Sequence, residues 1–168
     1  MYSFFVFGLP RSRTAWLSVF LSQSGVFCHH DGINGCSSTV EYQEKIKGCG
    51  DSTTGFFAID YDSLYQSSNR VIIEKSYSEI ERCIEWCDST YLTNSRDEIL
   101  RQNDILMGID GLRVKQSDIN NSLPLIFEHL TEQDWNERYS IITNLNVQSD
   151  PYGIDTEAAK RFFSASIQ

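Results

Sequence analysis

The sequence predicts an α/β domain of three layers, a short parallel sheet flanked by helices. Three observations carry that expectation. Phe4–Phe7 is apolar and aromatic or β-branched throughout, and Arg70–Lys75 is centred on the β-branched Val71-Ile72-Ile73; both read as buried strands. Each leads into apolar residues at helical spacing, so strands and helices alternate along the chain. The 168 residues suit one domain with a full core, 1–168, with a loosely docked tail expected over 150–168.

The first strand stops at Gly8-Leu9-Pro10, and Trp16, Val19 and Phe20 with Leu17 and Leu21 then describe a helix apolar on most sides. Between them lies a tight strand-to-helix loop holding Arg11, Ser12, Arg13 and Thr14. Such a loop has the geometry of a phosphate cradle, because a helix N-terminus offers unpaired N–H donors and about half a positive charge. Gly25 ends the helix, and Val26-Phe27-Cys28 reads as a short strand with His29, His30 and Asp31 at its end. In open α/β sheets the ligand crevice lies beyond the carboxyl ends of the strands, which would put that group near the loop.

Ser38-Thr39-Val40-Glu41 is a capping-box signature, with Val40, Tyr42 and Ile46 supporting the helix it opens. Gly48 to Gly55 reads as a loop rich in glycine and hydroxyls, and Phe57, Tyr61, Leu64 and Tyr65 as a helix face. The strand Arg70–Lys75 precedes a helix opened by Ser78-x-x-Glu81, with Ile80, Ile84 and Cys87 on one side. A helix over Arg96–Met107 turns Ile99, Leu100 and Leu106 inward and closes at Gly108. Leu112–Lys115 is a candidate fourth strand, with Arg113 a solvated strand residue. Pro124–Leu130 and Asp134–Ile142 read as short helices, the second begun by a Thr131-x-x-Asp134 cap. Phe127 and Trp135 are expected in the core and His129 in a structural role, while Asp155–Phe163 would form a terminal helix.

Composition narrows the function. A net charge of −9 and a pI near 4.7 argue against a nucleic-acid binder, so basic residues are meaningful where they cluster. The start lacks a basic n-region and a cleavage site, and no apolar run approaches the ~20 residues that span a bilayer; a cytoplasmic protein without membrane contact is expected. Five cysteines without a CxxC pair fit reduced thiols. Cys28, His29, His30, Cys36 and Cys49 could be drawn as a zinc site, but their spacing matches no standard module.

The loop lacks the second glycine and the lysine of Gly-x4-Gly-Lys-Ser/Thr. It resembles instead the phosphosulfate-binding loop of the sulfotransferases, Gly-x-Pro-Arg/Lys-Ser-Gly-Thr-Thr-x-Leu. Gly8, Pro10, Arg11, Ser12, Thr14 and Leu17 fall in register, Arg13 stands at the family's glycine, and Ala15 where a second hydroxyl is common. The likeness is specific over Phe4–Ser22 and weak over Arg70–Ile84, where the family places an arginine and, eight residues later, a serine on the donor's 3′-phosphate. Lys75 and Cys83 have that separation; a neighbouring alignment puts Glu74 at the arginine.

The resemblance implies a P-loop-like fold of the small, phage-type sulfotransferases, in the host cytoplasm if viral. It implies 3′-phosphoadenosine 5′-phosphosulfate as donor, no metal, and a small-molecule, carbohydrate or protein acceptor that the residues do not identify. Gly8, Pro10, Arg11, Ser12, Arg13, Thr14, Lys75 and Cys83 would bind the donor. Arg11 would take the family's catalytic cation, and as an arginine it stabilises charge without giving up a proton. His29 or His30 would be the base, since an unperturbed imidazole titrates near neutrality, with Asp31 orienting one of them. The alternative for either histidine is a solvent-facing or capping role. Two further readings stay open: a nucleotide-dependent phosphotransferase with a deviant loop, and a non-catalytic anion-binding protein that keeps the fold.

Overall fold

A computed structural model describes residues 4–58, 69–91 and 95–137. Five parallel strands form one sheet in the order β2-β3-β1-β4-β5: β1 Phe4–Gly8, β2 Cys28–His30, β3 Gly50–Thr53, β4 Asn69–Glu74 and β5 Leu112–Lys115. Helices cover both faces, which gives the three-layer α/β architecture that the alternation of elements predicts.

β1 is buried along its whole length because both its faces are covered. Phe4 and Val6 pack with Val71 and Ile73 of β4 against helices α1 (Thr14–Ser22) and α5 (Leu123–Thr131). Phe5, Phe7 and Ile72 face the other layer, made by α2 (Thr39–Lys45), α3 (Tyr77–Tyr91) and α4 (Arg96–Gly108). The period-two alternation of these strands thus feeds two separate cores. All of α1 except Ala15 is buried, as its apolar circumference requires.

The glycine-rich stretch is not the loop that its composition suggests, because residues 50–53 form the buried strand β3 between β1 and β2. Tertiary partners replace apolar side chains here. Gly50 lies under the Phe4 ring, where a Cβ would clash. Ser52 Oγ donates to the Thr14 carbonyl at 2.8 Å, and Asp51 accepts from Tyr42 Oη at 2.6 Å and from the Gly32 amide at 3.0 Å. A polar strand is tolerated where each polar atom has a partner.

Other boundaries shift for local reasons. β2 starts at Cys28 and takes in both histidines, since they pair with Asp51 and Ser52 of β3. α3 is opened by Ser76 and Glu79, whose carboxylate accepts from the Ser76 amide and hydroxyl, so Ser78 lies inside the helix. Leu100 is exposed while Ile99 and Leu106 are buried, and Val40 is exposed while Tyr42 and Ile46 are buried. Arg113 is not simply solvated: it reaches Glu74 Oε1 at 3.1 Å and the Met107 and Ile109 carbonyls. Thr131 ends α5 by donating to the Phe127 carbonyl, and Asp134–Asn136 are not helical. The expected helix face at Tyr61, Leu64 and Tyr65 and the terminal segment Asp155–Phe163 lie outside the described residues.

The strand order creates one place where successive connections diverge. From β1 the chain runs toward β2, and from β4 it runs the opposite way to β5, so the carboxyl ends of these hydrogen-bonded neighbours open a crevice. Residues 9–13 follow β1 and Lys75 follows β4, on the two lips of that crevice. Among the described residues no helix is long and apolar enough to cross a membrane.

Candidate functional site

The loop between β1 and α1 folds back over the strand end. The Ser12 amide donates to the Leu9 carbonyl at 3.2 Å, and an added Cβ at Gly8 would lie 2.8 Å from Ser12 Cβ, so only glycine lets the loop close. Arg11 and Arg13 both take left-handed backbone, at φ 66° and 62°. Arg13 stands where the sulfotransferase loop has glycine, the residue that adopts this conformation without strain. It is also the N-cap of α1 and supplies no side-chain cap, so the first turn's amides are not closed off by it.

The two guanidiniums are held apart by two indoles. Arg11 lies over Trp86 of α3 at 5.3 Å, and Arg13 over Trp16 at 4.3 Å while donating to Asn120 Oδ1 at 2.7 Å. Burial lowers the Arg13 pKa, yet an arginine stays cationic at neutral pH.

Two cavities meet at this loop. The larger, about 400 Å³, occupies the crevice between the ends of β1 and β4 and is lined by Arg11, Arg13, Lys75, Arg82, Glu79 and Trp86, together with Cys83 and Gln116. Four cations therefore face one carboxylate in a chain whose net charge is −9. Burial lowers the Lys75 pKa; the cations Arg82 and Arg11 push it the same way, against Cys83 and Glu79. A bound anion would relieve that repulsion.

Lys75 also braces the loop, donating to the Arg11 carbonyl at 3.2 Å and to Gln116 Oε1. Glu74 turns away to Arg113, so of the two residues it is Lys75 that faces the cavity. Cys83 Sγ donates to the Pro10 carbonyl at 3.2 Å, and burial pushes its thiol up to about 12. It is a neutral pin on the loop with no nucleophilic character.

The second cavity, about 290 Å³, lies on the other side of the same loop. Arg11, Arg13 and Trp86 line it too, and opposite them stand His30, Asp31 and Thr54. Because His29 and His30 are successive strand residues, their side chains leave opposite faces of the sheet. His30 lines the cavity; His29 lines neither cavity and sits edge-on to Phe27 at 4.6 Å. His30 Nδ1 is 3.0 Å from the Ser52 carbonyl, which can only accept, so the ring proton is on Nδ1 and the neutral imidazole carries its lone pair on Nε2. Nε2 is 3.5 Å from Asp31 Oδ2. The other oxygen of Asp31 is committed to the Thr54 amide at 2.6 Å and the Thr53 hydroxyl at 3.0 Å.

The fold thus brings Pro10, Arg11, Arg13, Thr14, Lys75 and Cys83 to one or both cavity walls, along with His30. Ser12 is placed differently. Its hydroxyl is buried, has no hydrogen-bond partner among the described residues, and lines neither cavity. Reading the sequence missed Glu79, Arg82 and Trp86, which share one face of α3 with Cys83. Their spacing of three to four residues just after a strand end was the available signal. Among the described residues no group of three or more His, Cys, Asp or Glu is arranged to hold a metal ion.

No protein-family model matches the chain, and comparison with curated proteins and with solved structures finds no match either.

Proposed function

We propose that this chain is a sulfotransferase-like enzyme that moves a sulfuryl group from 3′-phosphoadenosine 5′-phosphosulfate to a hydroxyl or amine acceptor. The observation that carries the reading is that a cationic cavity and a cavity with a histidine base share the walls Arg11 and Arg13. A group transfer between two substrates needs that arrangement: the donor's anions on one side, the acceptor's proton on the other, and the charge of the transition state between. The likeness of the loop to the phosphosulfate-binding sequence supplies the chemistry.

In this mechanism the donor's phosphates lie against Lys75, Arg82 and the loop. The acceptor's O–H or N–H proton passes to His30 Nε2 as the acceptor atom bonds to sulfur. The sulfur–oxygen bond to the 5′-phosphate breaks, and its electron pair leaves with 3′-phosphoadenosine 5′-phosphate. Arg11, Arg13 and the first amides of α1 stabilise the negative charge spread over sulfonate and leaving phosphate, as in phosphoryl transfer. The imidazolium that forms faces the Asp31 carboxylate.

Thermal shift with 3′-phosphoadenosine 5′-phosphate, against ATP with magnesium, tests the reading. A ligand at 100 times its Kd stabilises by about 2.7 kcal/mol. A selective response to the bisphosphate is expected. A response to magnesium and ATP instead would move the protein to the phosphotransferases, and silence to both would leave a fold without the donor site.

A further inference from the structure

The second cavity carries more information about the acceptor than its class alone, and we infer that the acceptor is an uncharged vicinal diol, of which the His30 and Asp31 pair binds both hydroxyls. This rests on the sulfuryl-transfer reading and deepens it. The two atoms that define the site, His30 Nε2 and Asp31 Oδ2, are both hydrogen-bond acceptors when the imidazole is neutral, and they lie 3.5 Å apart. Two adjacent acceptors call for two adjacent donors. Hydroxyls on neighbouring carbons stand at a similar separation, and each can donate to one of the pair.

The fold fixes both atoms. The Ser52 carbonyl takes the ring proton at Nδ1, which leaves Nε2 to accept. The Thr54 amide and the Thr53 hydroxyl hold Asp31 Oδ1, which leaves Oδ2 as the less committed oxygen, with Thr54 Oγ1 at 3.5 Å from it. Asp31 itself is pinned in left-handed backbone at φ 49°, so the carboxylate is aimed by the turn rather than free to swing.

Charge removes the competing acceptors. Arg11 and Arg13 line the same cavity, so an ammonium would enter against two guanidiniums. A carboxylate would be drawn to those guanidiniums and away from Nε2, beside which Asp31 repels it. A neutral alcohol avoids both penalties, but a monohydric one leaves either Nε2 or Oδ2 without a donor, the kind of mismatch that costs an enzyme heavily in discrimination. The volume of about 290 Å³ suits a single six-membered ring bearing the diol, with Trp86 as the apolar wall. The hydroxyl on Nε2 loses its proton to that nitrogen and attacks sulfur, while its neighbour donates to Asp31 Oδ2 and stays unsulfated.

The test uses wild-type protein, the phosphosulfate donor, and three rings matched in size: cis-cyclohexane-1,2-diol, cyclohexanol and cyclohexylamine. Release of 3′-phosphoadenosine 5′-phosphate and formation of the sulfated ring are followed, and binding of the bisphosphate is titrated in the same sample. The diol is expected to give a kcat/KM about 100-fold above either competitor. In Asp31→Asn, checked for unchanged bisphosphate binding and Tm, that preference is expected to shrink at least tenfold, because the second hydroxyl loses its charged acceptor and finds only a neutral amide. Equal rates for diol and cyclohexanol, a faster amine, or silence of the diol in protein that binds the bisphosphate would each overturn the diol inference while sparing the donor site. Absence of bisphosphate binding would overturn the sulfuryl-transfer reading, and this inference with it.

Discussion

Lys75 Nζ donates to the main-chain carbonyl of Arg11, 3.2 Å away, so the residue that follows β4 holds the loop that follows β1. The same ammonium lines the 400 Å³ cavity, where burial has already lowered its pKa. Two substitutions test the charge. Lys75→Met removes the charge and the brace, and is expected to weaken binding of 3′-phosphoadenosine 5′-phosphate by about tenfold or more, the scale of a charge-assisted hydrogen bond. Lys75→Arg keeps the charge and should retain most of the affinity. Calorimetric titration of both variants checks this, and wild-type affinity in Lys75→Met would remove the crevice from the binding site.

Arg13 sets backbone strain against ligand binding. At φ 62° an arginine costs roughly 1 kcal/mol that glycine does not, while its stacking on Trp16 and its bond to Asn120 return a similar amount. Arg13→Gly is therefore expected to change unfolding free energy by less than about 1 kcal/mol, and yet to reduce the bisphosphate response severalfold. Chemical denaturation and thermal shift on the same variant read the two effects. A large loss of stability with intact binding would reverse the assignment and make Arg13 a structural residue.

The loop and β1 were legible because their signals are local: apolar residues to stop at a glycine, then helical spacing. β4, α3 and the α4–β5 unit were legible for the same reason. β3 was not, since Gly50-Asp51-Ser52-Thr53 has the composition of a turn and becomes a strand only through Phe4, Tyr42, Gly32 and Thr14, partners 9 to 46 residues away. Finding β3 moves β2 as well, because pairing with Asp51 and Ser52 draws the histidines into the sheet and parts them to opposite faces. The choice of His30 over His29 is thus a consequence of a long-range pairing that no local pattern announces. The same holds for Glu74 and Lys75, since Arg113 on the adjacent strand captures Glu74 while Lys75 reaches the Arg11 carbonyl.

Asp51 gives the fold a pH signature. Burial pushes its carboxyl up to about 6, against hydrogen bonds from Tyr42 and the Gly32 amide that favour ionisation. An unfolded aspartate titrates near 3.9, so the folded state binds the proton more tightly. The resulting stability is fully present below about pH 4 and is lost as pH rises through about 6, a change on the order of 2–3 kcal/mol. Asp51→Asn should flatten that interval. Urea unfolding at several pH values from 4 to 7 measures the difference between wild type and variant, which is expected to shift steadily in favour of the variant as pH rises. A difference independent of pH would mean that Asp51 is ionised throughout.

The two histidines make the sharpest pair of variants, since they are adjacent in sequence and opposite in placement. His30 reaches the 290 Å³ cavity with its proton held on Nδ1 by the Ser52 carbonyl, whereas His29 packs edge-on to Phe27 on the other face. A general base contributes typically 10²- to 10⁴-fold to rate. His30→Ala is expected to lower kcat by roughly that factor and to leave bisphosphate binding within about twofold of wild type, because the cationic cavity lies across the loop from it. His29→Ala should keep wild-type kcat and lose only some stability from the Phe27 contact. Steady-state kinetics at saturating donor, paired with bisphosphate titration, decides the matter: equal losses in both variants would point to a disturbed β2 strand, and an active His30→Ala would move the proton to Asp31.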